Sequence, residues 1–168
     1  MANIQDIVIG LRPNSITLRT ENRSTRNQKD YLGHSQLEKE GNIIIDWGPK
    51  KGEIAYINNY TSSTNSFKNG IVTKYPKTDF WNPVKIKGVN IDRIKNYGLY
   101  LDNCDELYQM VSNGCVTKAS RALNMGGAFN IGIFPKINHP YWLHFQMKLY
   151  SNGLRPWIYT SHVPNIQQ

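Results

Sequence analysis

The spacing of apolar residues changes character near residue 90, and that change limits the folds open to the chain. Before it, apolar side chains tend to recur at every second position in short runs: "ITLRT", "LGHSQLE", "NIIIDW" and "NPVKIKGV". Alternation of this kind, rich in β-branched residues, is the pattern of half-buried strands. After it, Ile91, Ile94, Tyr97, Leu99 and Leu101 follow near-helical spacing, and Val116, Ala119, Ala122 and Leu123 fall on one helical face. Strands followed by helices imply an α+β fold, an antiparallel sheet packed against helices.

Local punctuation sharpens the boundaries. Residues 3 to 20 read as a hairpin, "IQDIVIGL" and "ITLRT" around a turn at Arg12-Pro13-Asn14-Ser15, with 21 to 30 as a polar lead-in. A second hairpin joins Leu32–Glu38 to Asn42–Trp47 across a turn containing Glu40 and Gly41, and Pro49 and Gly52 close it. Residues 53 to 80, rich in Asn, Ser, Thr and Tyr, read as a long loop with one short strand near "GIVTKY". Asn90 is placed to cap a helix over "NIDRIKNYGLYLDN". A helix is expected over Cys115–Met125, stopped by Gly126-Gly127. A third has Pro140 in its first turn and Gly153 at its end, and "LRPWIYTS" reads as a closing strand.

A chain of 168 residues is expected to form one domain, 1–168, with 1–30 as an N-terminal hairpin and lead-in. No apolar run approaches the roughly eighteen residues of a membrane span. "MANIQDIVIGLRPNS" lacks the basic and long apolar regions of a secretory signal. The net charge of +8 is scattered over several short segments. It supports non-specific attraction to polyanions, so a basic nuclease or nucleic-acid binder is the rival functional reading. Two cysteines, Cys104 and Cys115, make no disulfide framework, and no CxxC or HExxH spacing is present. No metal and no cofactor are expected.

Cys115 stands directly behind "SNG" and directly ahead of the helical run. A helix N-terminus offers free N–H groups and the positive end of the helix dipole, both of which favour a thiolate. The same groups can supply half of an oxyanion hole. A nucleophilic thiol also needs an imidazole. The alternative is a small buried residue filling a core. Of four histidines, His139 and His144 belong to the third helix, and His162 has only six residues after it. His34 lies behind Gly33 at the start of a strand whose hairpin mate ends in Asp46 and Trp47.

"GHSQLEKEGNIIIDWGP" followed much later by "YQMVSNGCVTKASRAL" resembles the circularly permuted branch of the papain-like superfamily, which includes NlpC-type cell-wall amidases and lecithin retinol acyltransferase-like proteins. The segments "RALNMGGAFNIGIFP" and "HFQMKLYSNGLRPW" are similar to C-terminal toxin domains of bacterial polymorphic, RHS-type proteins. The resemblance implies a papain-like cysteine hydrolase (a peptidase or amidase) or acyltransferase with Cys115 as nucleophile, His34 as base and Asp46 orienting the imidazole. It further implies a peptide or peptidoglycan-like amide substrate and a cognate immunity protein. Such a toxin is delivered without its own signal peptide and acts in the periplasm or cytoplasm of a target cell. Gln109, six residues before Cys115, has the spacing of an oxyanion-hole glutamine, and a solvent-facing Gln beside Tyr108 is the alternative. The chain departs from the pattern at Gly114, where Asn is expected directly before the Cys; Asn113 stands one place earlier. Asp46 also raises a question of register. A plain two-residue turn at Glu40-Gly41 sets His34 opposite Trp47, so a bulge or a longer turn is needed to bring Asp46 alongside.

Overall fold

A computed structural model of the chain describes residues 15–21, 33–53, 58–65, 67, 73–74, 83–128 and 140–153. The strand expected within residues 3–10, the lead-in at 22–30, the closing strand, His139 and His162 lie outside these residues. The described strands are β1 (Ser15–Glu21), β2 (His34–Lys39), β3 (Asn42–Ile45), β4 (Gly48–Pro49), β5 (Ser63–Thr64), β6 (Thr73–Lys74) and β7 (Val84–Lys87). The described helices are α1 (Ile91–Asn103), α2 (Cys115–Met125) and α3 (Pro140–Ser151). The architecture is α+β. β6, β3, β2, β1 and β7 form an antiparallel sheet in that order, and β4 pairs with β5 in a separate ribbon.

The alternation in sequence becomes one apolar face of the sheet. Leu18 lies opposite Leu37 on one side and Val84 on the other, and Ile16 lies opposite Ile86. These side chains are at most 6% exposed and form one core with Ile94, Leu101, Ala119, Ala122, Leu123, Leu143 and Met147 from the helices. Each fully buried Leu or Ile contributes about 1.5–3 kcal/mol relative to exposure. β1 therefore has described partners on both edges, β2 and β7, where the sequence suggests a hairpin with the run before it.

Helix boundaries follow their caps. The Asn90 side chain accepts the Arg93 N–H at 3.0 Å, and the Asn90 N–H donates to the Gly126 carbonyl at 2.8 Å, so the start of α1 is tied to the end of α2. Gly98 lies inside α1, where glycine costs helix stability. A Cβ there would sit 2.8 Å from the Phe67 ring and 2.9 Å from the Ile44 carbonyl oxygen. Glycine thus lets α1 press against β3. The long polar stretch after Gly52 carries β5 and β6; the second falls inside "GIVTKY", while nothing in the local pattern announces the first. No helix among the described residues is long and apolar enough to cross a membrane.

Candidate active site

The β2–β3 hairpin turns on two residues, Glu40 and Gly41, whose φ angles of 53° and 79° are those of a type I′ turn. From that turn Lys39 pairs with Asn42 and Glu38 with Ile43, but Leu37 pairs with Ile45. Ile44 is an extra residue, a β-bulge. An unbulged register places Asp46 on the face opposite His34. One inserted residue reverses the parity of everything after it, which moves Asp46 to the side that carries His34. His34 Nε2 and Asp46 Oδ1 are 2.6 Å apart.

The third member arrives from α2. Cys115 is the first residue of the helix, and the N-cap, Gly114, is extended and offers no side-chain cap. Its thiol lies in hydrogen-bonding reach of His34 and of the backbone N–H groups of Ser35 and Val116. With Nε2 of His34 engaged by Asp46, Nδ1 is the ring nitrogen left for the sulfur. The structure therefore brings Cys115, His34 and Asp46 together as a connected row.

Electrostatics follow from this packing. Burial pushes the Cys115 thiol up, but the positive charge of His34, their hydrogen bond and the Ser35 and Val116 N–H groups outweigh it. The thiol is held below its ordinary value. Burial likewise pushes His34 down, while the Cys115 charge and the Asp46 hydrogen bond hold it well above its ordinary value. Both shifts favour a thiolate–imidazolium pair near neutral pH. Cys115 is 6% exposed, and the side chains of His34 and Asp46 are 18% and 27% exposed, so the row opens to solvent at its carboxylate end.

Gly114 explains the departure from the Asn pattern. A Cβ at that position would lie 2.6 Å from the Met110 carbonyl oxygen, so only glycine fits where the loop folds back on the helix start. Asn113 anchors that loop instead. Its Nδ2 donates to the Leu107 carbonyl at 2.7 Å and to Glu106 Oε2 at 3.2 Å. Its N–H donates to the Gln109 carbonyl at 2.9 Å, and its carbonyl accepts the Trp47 indole N–H at 2.9 Å. The Gln109 Oε1 accepts from the N–H groups of Val111 (2.8 Å) and Ser112 (2.6 Å) and from the Ser112 hydroxyl (2.8 Å). That end of the Gln109 amide closes the turn ahead of α2, which is the work the geometry gives it.

Sequence reasoning missed four supporting residues. Trp47, fully buried, ties the end of the hairpin to the loop before Cys115. Lys118 is also fully buried, stacks over Trp47 with its Nζ 5.0 Å from the ring centroid, and pairs with Glu106. Burial pushes the Glu106 carboxyl up, but bonds from Lys118, Tyr100 and Asn113 outweigh it and hold the group below its ordinary value. Asn65 accepts the Asp46 N–H at 2.8 Å. Of these four, only Lys118 signals its supporting role in the sequence, as a charged residue one helical turn after Cys115 on the apolar side of α2. Comparison with protein-family models, with curated proteins and with solved structures found no match.

Proposed function

We propose that the chain is a cysteine-dependent amide hydrolase or acyltransferase of the circularly permuted papain-like kind, acting as a bacterial effector toxin. One observation carries the reading: His34 bridges a thiol at a helix N-terminus and a carboxylate. In the mechanism, His34 Nδ1 takes the Cys115 proton and Asp46 holds the resulting imidazolium through Nε2. The thiolate adds to a substrate carbonyl carbon, and the Cys115 backbone N–H, unused within the helix at its first turn, stabilises the oxyanion. Collapse of the tetrahedral intermediate expels the amine, which leaves with the proton held on His34. Water, deprotonated by His34, resolves the thioester to a carboxylic acid; another acceptor would give transfer instead.

The resemblance stated above supplies the rest of the proposal: a peptide or peptidoglycan-like amide as substrate, and an immunity protein as partner. The test is toxicity on expression, together with release of new carboxyl or amine groups from peptide and peptidoglycan substrates. Cys115→Ala and His34→Ala should each abolish both while the circular dichroism of the fold persists. Activity that survives Cys115→Ala and falls steeply with salt would overturn the proposal in favour of a nucleic-acid-active toxin, which the net charge of +8 would serve.

A further inference from the structure

Asp46 reaches His34 only because β3 carries an extra residue, and a bulge is costly unless its displaced backbone groups find partners. The partner here is one side chain. Asn65 is 2% exposed and follows β5 directly. Its Oδ1 accepts the Asp46 N–H at 2.8 Å, and its Nδ2 donates to the Ile44 carbonyl at 3.2 Å. The same Nδ2 donates to the Gly98 carbonyl in α1 at 3.2 Å. A primary amide is the side chain that matches this task, since it presents a donor and an acceptor with the geometry of a peptide group. A carboxylate would set an acceptor against two carbonyls, and an aliphatic residue would take away the side-chain partner of both the Asp46 N–H and the Ile44 carbonyl.

We infer that Asn65 is the positioning residue of the triad: by clamping the bulge on both sides of Ile45 it sets the direction in which Asp46 meets His34. The inference rests on the proposed Cys115–His34–Asp46 chemistry. Asn65 touches neither the thiol nor a substrate in that scheme. It acts through Asp46, and its loss should therefore copy the loss of Asp46 rather than a loss of core packing.

The experiment measures the rate of Cys115 alkylation by iodoacetamide from pH 5 to 10 in the full chain, by mass spectrometry of the labelled peptide. The His34 ring nitrogens are followed in parallel by ¹⁵N NMR, and thermal midpoints report stability. Variants are Asn65→Ala, Asn65→Ser, Asp46→Ala and, as a core control, Leu143→Ala. Asn65→Ser, too short to reach the Asp46 N–H and the Ile44 carbonyl together, decides the matter should Asn65→Ala fail to fold. The expected result is an alkylation rate at acid pH lowered about tenfold or more in the Asn65 and Asp46 variants, a rise of about one unit in the thiol midpoint. Their His34 ring resonances should shift together, and Leu143→Ala should lose stability with an unchanged profile. An Asn65 variant that is less stable yet keeps the wild-type profile and His34 resonances would overturn the inference. If instead the wild-type thiol itself titrates as a free cysteine, near 8.5, the reading of the site fails, and this inference with it.

Discussion

The chain places its two cysteines at opposite ends of neighbouring helices, and the contrast shows what an address does to a side chain. Cys104 is the C-cap of α1, partly exposed, and its sulfur donates to the Leu101 carbonyl at 3.5 Å. Cys115 opens α2, is buried, and receives N–H groups from Ser35 and Val116 as well as His34. At one end the helix offers carbonyl oxygens, so sulfur serves as a donor, and reaction as a nucleophile would forfeit that bond. At the other end the helix offers N–H groups and a positive dipole, so sulfur serves as an acceptor. Exposure alone points to Cys104 as the reactive thiol; the surrounding charges and N–H groups point to Cys115.

The sharpest way to break this contrast is competitive alkylation. At pH 6, label should enter Cys115 ahead of Cys104, because rate follows thiolate fraction and the Cys115 thiol is held below its ordinary value. His34→Ala removes the charge and the hydrogen bond but leaves the burial, which acts in the opposite direction. The Cys115 thiol should then rise, with only the Ser35 and Val116 N–H groups left to oppose burial, and acid-pH labelling should drop on the order of 100-fold. Label entering Cys104 first at every pH in the wild type would show that exposure outweighs the helix address.

A smaller effect tests the approach to the helix. Gly114→Asn introduces the residue that the sequence resemblance leads one to expect there, but its Cβ meets the Met110 carbonyl. Destabilisation of about 1–3 kcal/mol is expected, with slower Cys115 labelling and no change at Cys104, measured by denaturant midpoint and peptide mapping. The smallest effect concerns α1 alone. Asn90→Ala should cost about 1 kcal/mol through the lost cap, and both labelling rates should stay at wild-type values. A changed Cys115 rate in that variant would mean that the Asn90–Gly126 tie transmits to the other end of α2.

Much of the fold can be read from local signals. Cap and stop residues mark α2 at Cys115–Met125 because an N-terminus needs an uncommitted turn and a C-terminus favours glycine, and both lie within a few residues of the helix. The β2–β3 hairpin is equally local, since Glu40-Gly41 admits a two-residue turn. The site is legible where it depends on such features. Cys115 at a helix start and His34 at a strand start are visible in the chain. Trp47 is visible too, but its bond to Asn113 is not, because nothing in either segment encodes the crossing of loop and hairpin. Asn65 is concealed for the same reason: one Asn among many polar residues acquires its role only when α1 and β3 close around it.

The residues alone marked a helix start that favours a thiolate and left His34 as the better-placed imidazole, because helix ends and strand alternation are short-range effects. The tertiary structure decided whether Asp46 joined them. A hairpin's register is fixed locally by its turn, and that turn by itself sends Asp46 to the wrong face. The extra residue at Ile44 corrects it, held by an amide from Asn65 and pressed by α1 at Gly98. A single backbone insertion reverses the parity of a strand, and long-range contacts supply the free energy that keeps it.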